Sequence, residues 1–171
     1  MSLDDLKNLI KGGVFISPTK GALDLDIVIE ELINFKKEKP EHKYNIVIGT
    51  DSEKRDNGSE FVCVVAIHRV GKGGRYFWLK IFDERNLDLR SRIYQEATVS
   101  LALAWALLEK DLEMRRKIII HNELEIHVDI GQKGPTKEMI REIKGMISGN
   151  GFFVKIKPES FAASTLADRH I

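Results

Sequence analysis

The sequence predicts an α/β protein in one domain: helices, then a three-strand meander, then a long apolar helix followed by strand, helix, strand and helix. Three observations predict it. At Tyr44 the helical spacing of apolar residues gives way to a β-branched run, short turn signals join three such runs, and strand-like and helix-like stretches alternate thereafter. A chain of 171 residues, 43% of them hydrophobic, can bury one substantial core and has little left for a second.

Ser2 stands as a cap before a short stretch that stops at Gly12-Gly13, which predicts a short, peripheral helix. Asp24 and Asp26 introduce Val28, Ile29, Leu32, Ile33 and Phe35 at helical spacing, with a lysine-rich end and Pro40 as the stop. Residues 1–43 therefore read as a helical extension and residues 44–171 as a single compact unit. The β-branched run 44–51 is the first core strand and ends on Asp51. Asp56-Asn57-Gly58 is a turn signal, and residues 61–70 resume as a strand that is apolar on both faces. Gly71-Lys72-Gly73-Gly74 turns the chain again into a strand over 75–82. A phosphate cradle is the weaker reading of these glycines, because they join two strands and no helix N-terminus follows.

Residues 90–109 form a helix that is almost continuously apolar from Ala97 to Leu108, as only a helix packed hard on a sheet tolerates. The stretch 118–130 is β-rich, with Leu124, Ile126 and Val128 on one face and Glu125, His127 and Asp129 on the other. Ile118-Ile119-Ile120 fits either the start of that strand or the end of the helix. Pro135 suits the first turn of a helix carrying Met139, Ile140, Ile143, Met146 and Ile147, which Gly149-Asn150-Gly151 stops. Residues 152–157 are a short fifth strand, and Pro158 and Ser160 lead into a last helix from Phe161 onward. Trp78 and Trp105 read as core residues.

Charged residues make up 31% of the chain but the net charge is only +1, so a nucleic-acid partner has to be argued from local features. The lone Cys63, inside an apolar strand, excludes an internal disulfide framework and a multi-cysteine zinc site and reads as a buried inert thiol. With neither a basic, apolar leader nor a run of about 18 apolar residues, cytoplasmic residence and no membrane partner are the expectation.

Four carboxylates lie where an apolar residue would cost less. Burying a charge costs several kcal/mol unless it is paired or bound to metal. Asp51 ends a strand beside the open face left by Gly49. Glu96 shares the sheet-facing side of its helix with Ile93, Val99, Ser100 and Leu103. Asp129 ends a strand before a glycine-containing loop. Asp168 follows the small residues Ala162-Ala163-Ser164, where a helix can approach closely. Hard divalent cations take oxygen ligands, and two of them roughly 3.5–4 Å apart clamp the attacking and leaving oxygens of a phosphodiester. Taken singly, Asp51 and Asp129 read equally well as turn formers, Glu96 has Arg92 four residues earlier as an ion-pair partner, and Asp168 reads as a helix-surface acid. The combination, in this element order, favours one metal-binding site.

Those residues, in the stretches Ile48-Gly49-Thr50-Asp51-Ser52, His127-Val128-Asp129-Ile130-Gly131 and Ala162-Ala163-Ser164 through Ala167-Asp168, together with the Glu96 helix, carry a resemblance to the ribonuclease H-like superfamily. Within it, the sequence is similar to the small bacterial YkuK-like family of unknown function. The resemblance runs from about Tyr44 to the C-terminus and more loosely over the preceding helix. It implies a mixed five-stranded sheet, three antiparallel strands followed by parallel ones, flanked by helices. It implies that Asp51, Glu96, Asp129 and Asp168 hold two Mg²⁺ or Mn²⁺ ions when substrate is bound. Asp51 would bridge them, Glu96 and Asp129 would complete one coordination sphere, and Asp168 would hold the ion that activates water. The implied reaction is in-line hydrolysis of RNA, DNA or a hybrid, leaving a 5′-phosphate and a 3′-hydroxyl. No basic protrusion or aromatic handle for a hybrid stands out, so the type of nucleic acid stays open.

His127 and Lys133 are auxiliary candidates, the first for assisting at the metal or orienting a phosphate, and the second for a basic rim with Lys137, Lys155, Lys157 and Arg169. His170, beside Asp168, is a candidate proton shuttle. The leading function is a metal-dependent nuclease. The alternative is a catalytically weak module that binds structured nucleic acid or a protein. An ATPase of the actin and sugar-kinase type needs two such domains around a cleft, for which 171 residues are too few.

Overall fold

The computed structural model describes residues 1–113, 124–133 and 136–171. The expectations for Ile118-Ile119-Ile120 and for Pro135 lie outside these residues. Helix α1 (Leu3–Lys11) opens with a capping box in which Ser2 and Asp5 satisfy each other's backbone N–H groups. Strands β1 (Phe15–Ser17) and β2 (Gly21–Leu23) form a small antiparallel hairpin, and α2 (Leu25–Glu38) follows, capped by Asp24. The meander is β3 (Tyr44–Arg55), β4 (Gly58–Arg69) and β5 (Gly74–Asp83). Then come α3 (Leu89–Glu113), β6 (Leu124–His127), a 3₁₀ turn at Lys137–Met139, α4 (Ile140–Gly149) and β7 (Phe153–Lys155). Gly71 and Gly73, at φ 73° and 81°, make the turn between β4 and β5, and no phosphate-binding helix follows it.

The seven strands form one mixed sheet in the order β2-β1-β5-β4-β3-β6-β7, antiparallel across β5-β4-β3 and parallel across β3-β6-β7. The five-stranded sheet expected from the sequence is thus its inner and far part, enlarged to seven by the β1-β2 hairpin at the β5 edge. Each hairpin strand has only three residues, too few for a hydrophobic period. Nor is α1 peripheral. Its Leu6 and Ile10 are fully buried in the main core, and Lys7 and Lys11 pair with Glu109 of α3.

The two faces of the sheet are covered unequally. The main core lies between one face and α1 to α4, and includes Ile46, Ile48, Phe61, Cys63, Val65, Phe77 and Leu79. The second, smaller core joins Val62 and Val64 of β4 to Ala167, with Tyr76, Trp78, Leu166 and Ile171 half-buried around it. Its cover is the C-terminal segment, wound as a π-helix over Ala162–Ala167 and a 3₁₀ turn over Asp168–His170, where the sequence suggests an ordinary helix. The i→i+5 winding brings Ala162 and Ala167, five residues apart, onto one side, and both are fully buried. Trp78 and Trp105 are each half-buried at the margin of a core.

Candidate active site

Strand register creates the centre of the site. Gly49 of β3 lies opposite His127 of β6 in the parallel pair, so the chain two residues beyond each partner carries Asp51 and Asp129 side by side. Two details differ from the sequence reading. β3 runs four residues past Asp51 to Arg55, because Asp51 still pairs with Val62 in the hairpin, and β6 stops at His127, which leaves Asp129 in the loop beyond. Alternation puts Asp51 on the face covered by the C-terminal segment, and its neighbours Thr50 and Ser52 on the face covered by α3. Thr50 accordingly exchanges a 2.8 Å hydrogen bond with Ser100 of α3, and Ser52 Oγ donates to Glu96 Oε1 at 2.5 Å.

Glu96 is 7% exposed. Burial pushes its carboxyl up to about 8, and the charges of Asp51 and Asp129 push the same way, against the hydrogen bond from Ser52 and the positive charge of Arg92. Asp51 is half-buried and raised to about 6, chiefly by burial and then by the charges of Asp129 and Asp168; the Ser52 N–H at 2.9 Å and Arg92 oppose this. The charges of Asp129 and Asp168 thus reach Asp51, and those of Asp51 and Asp129 reach Glu96. Arg92 does not serve as a direct partner for Glu96. Its Nη1 donates to the Ser52 carbonyl at 2.7 Å and to Ser52 Oγ at 3.2 Å, so it reaches the acid through the serine.

Asp129 Oδ1 lies 2.9 Å from Lys157 Nζ, an ion pair without the alignment of a hydrogen bond. Asp168 is exposed at the start of the terminal 3₁₀ turn. Among the described residues no three His, Cys, Asp or Glu side chains stand close enough to hold one metal ion as placed. The donor set is nevertheless that of a hard-cation site, being all oxygen, partly desolvated, and more acidic than Arg92 and Lys157 can balance.

The auxiliary candidates separate. His127 is buried with Nδ1 accepting from the Ala162 N–H at 3.3 Å and Nε2 facing Glu125 at 3.3 Å, which fixes the neutral tautomer protonated at Nε2. Burial holds its pKa below the ordinary value. It anchors the first turn of the C-terminal segment. Lys133, on the loop after Asp129, is exposed, and so are Lys137 in the 3₁₀ turn and Arg169 in the C-terminal turn. Lys155 pairs with Glu125 at 2.9 Å, so of the suggested basic rim only Lys157 meets one of the four acids directly among the described residues. His170 stacks on Trp78 at 3.7 Å and 9°.

Ser52 and Arg92 are the site residues that sequence reasoning passed over in this role. The available signal was Arg92 one helical turn before Glu96 together with a serine directly after Asp51.

A family model described as ribonuclease H-like matches residues 27–171. The chain is 31% identical over 165 residues to the uncharacterized protein YkuK of Bacillus subtilis (strain 168), an alignment that covers 91% of this chain and 95% of that protein. No solved structure matches the chain at a significant level. Among the described residues no helix is long and apolar enough to cross a membrane.

Proposed function

The chain belongs to the ribonuclease H-like family, and we propose that it is a divalent-metal-dependent nuclease that hydrolyses phosphodiester bonds of RNA or DNA. One observation carries this reading: Glu96 and Asp51 are held partly or wholly out of water, with raised proton affinity, beside two further acids. Such an arrangement destabilises the folded chain unless a cation offsets it. Asp51, Glu96, Asp129 and Asp168 would hold Mg²⁺ or Mn²⁺, and the ions would supply Lewis acidity at the phosphate and activate water there.

The chain's own residues have separable tasks in this reading. Ser52 fixes Glu96 in one rotamer by its 2.5 Å hydrogen bond. Arg92, bonded to the Ser52 carbonyl and hydroxyl, holds that turn of α3 against β3. Lys157 pairs with Asp129 at 2.9 Å and would turn its charge to a substrate phosphate if Asp129 took another cation. The test is cleavage of single-stranded, duplex and hybrid substrates in Mg²⁺ and Mn²⁺, alongside metal binding by calorimetry. Cutting that is lost in Asp51→Asn and Asp129→Asn is the expected result. A protein that binds neither ion and cuts none of these substrates defeats the reading.

A second reading, a nucleic-acid-binding module with little catalysis, is favoured by the spacing of the acids, no three of which are within reach of one ion among the described residues. Salt-dependent binding that survives the same acid-to-amide changes would select it.

A further inference from the structure

Among the described residues, the sheet face that carries Asp51 is covered by the C-terminal segment, and its outer part is aromatic. Along β5 the residues on that face are Tyr76, Trp78, Lys80 and Phe82, in succession, whereas Phe77, Leu79 and Ile81 are buried in the main core. Phe82 is 45% exposed. Cross-strand register ties this stripe to the acids: Lys80 pairs with Val62 and Val62 with Asp51, while Tyr76 pairs with Ala66 and Ala66 with Val47.

Beside Tyr76 lies a cavity of about 190 Å³ whose lining includes Ala66, His68, Arg75, Tyr76, Phe161 and Leu166. Phe161 is a large apolar residue left 41% exposed. It is held there from behind, because His127 meets its ring edge-to-face at 4.8 Å and binds the next backbone N–H. Two residues up β5, the same face already stacks a flat heteroaromatic ring, the imidazole of His170 on Trp78 at 3.7 Å and 9°. The pKa of His170 is lowered first by burial and then by the charges of Lys80 and Arg169, of which Lys80 also pairs with Glu60 at 3.1 Å, so two cations lie beside the stripe and Arg169 is exposed.

We propose that this face binds single-stranded nucleic acid, with an unpaired base seated in the cavity between Tyr76 and Phe161. An aromatic stripe interrupted by a cation stacks successive bases without reading their identity, and only unpaired bases expose the faces that stacking needs. A cavity of this volume, with Tyr76 and Phe161 both in its lining, admits one flat ring system and is too small for a base pair. From strand spacing and rise, Tyr76 stands roughly 16 Å from Asp51, two strands across and four residues along β3. That is about five stacked-base rises at ~3.4 Å each, so one strand can occupy the cavity and pass the acids. The inference rests on the nuclease reading for the nature of the polymer and for its path toward Asp51, though not on cleavage.

The test reads binding apart from cutting. A fluorescein-labelled oligothymidylate of about twelve nucleotides is titrated with full-length protein in chelator, by anisotropy, and a blunt duplex of the same length is the competitor. The expected result is at least about tenfold preference for the single strand. Phe161→Ala and Tyr76→Ala should each weaken binding roughly ten- to a hundredfold, and Phe161→Tyr and Tyr76→Phe, which keep the rings and guard against a folding defect, should restore it. Equal affinity for duplex, undiminished binding by both alanine variants, or the same loss in the ring-keeping variants overturns the proposal. So does a dimer in wild-type protein that the alanine changes dissociate, which would give the face to a second copy of the chain. Cleavage in Mn²⁺ then separates the two readings: binding as expected with no cutting defeats the nuclease and leaves the cavity standing. Cutting whose KM is untouched in both alanine variants defeats the cavity and leaves the nuclease.

Discussion

Ser52 shows how much of the site depends on single hydrogen bonds. Its N–H donates to Asp51, its hydroxyl donates to Glu96 and its carbonyl accepts from Arg92, so it couples a carboxylate of β3 to one of α3. The acid it holds sets a measurable pH dependence. Glu96 has an ordinary value of 4.5 and is raised to about 8 by burial. Below about pH 4.5 the carboxyl is protonated whether the chain is folded or not. Between that value and 8 the unfolded chain ionises while the folded chain keeps its proton, so stability falls as pH rises through this window. Glu96→Gln keeps an oxygen to accept from Ser52 and removes the ionisation. In chelator, the variant should match wild type near pH 4 and exceed it by about 1–3 kcal/mol near pH 8, as read by urea unfolding at both pH values. An advantage that does not grow with pH would remove burial as the cause. The candidate acids can be picked out in the sequence, since Asp51 follows a β-branched run and Glu96 interrupts an apolar face. Their wiring cannot, because whether Arg92 bonds the glutamate or the serine depends on how closely α3 approaches β3.

At the scale of elements, the strong periodicities translated directly into structure. The β-branched run from Tyr44, the Asp56-Asn57 turn and the apolar body of α3 all appear where spacing put them. What sequence did not show depends on contacts between distant segments. The β1-β2 hairpin exists because β5 offers an unpaired edge, which Ile16 joins opposite Trp78. Helix α1 became core because α3 presents a long apolar side with Glu109 placed for two lysines. This changes what a substitution there should do. Ile10→Ala removes a fully buried side chain from the main core and should cost about 2–4 kcal/mol in denaturant unfolding with the m-value unchanged. Leu9→Ala, one position along and half exposed, should cost under about 1 kcal/mol. Equal small losses at both positions would return α1 to the periphery. The C-terminal segment is the other element that spacing could not resolve. Its π winding follows from small residues meeting β3 and β4, and from the His127 ring that receives its first N–H.

For the whole molecule, near-neutral net charge conceals an uneven distribution. Many acids outside the site are paired with lysine or arginine, among them Glu60 with Arg55 and Lys80, Glu31 with Lys20 and Arg75, and Asp83 with Arg85. Among the described residues, the four-acid site has only Lys157 in an ion pair, with Arg92 at one remove. Electrostatic repulsion is therefore concentrated at the carboxyl ends of β3 and β6, the central parallel pair, where relieving it should act on global stability. A ligand that binds only the folded chain stabilises it by RT ln(1 + [L]/Kd), about 2.7 kcal/mol at a hundredfold excess over Kd. Titrating Mn²⁺ at pH 7.5 should accordingly raise Tm by several degrees for a chain of this size, roughly 2–5 °C per ~1–2 kcal/mol. Asp51→Asn in chelator should start above wild type, because a half-buried charge has gone, and should gain little from Mn²⁺, because a central donor has gone with it. The crossing of the two Tm curves as the ion is added is the specific signature. A nonspecific screening effect would raise both proteins in parallel and would be reproduced by monovalent salt at equal ionic strength. Parallel curves would mean that the acids are merely tolerated, and would take away the physical reason for assigning them to a metal.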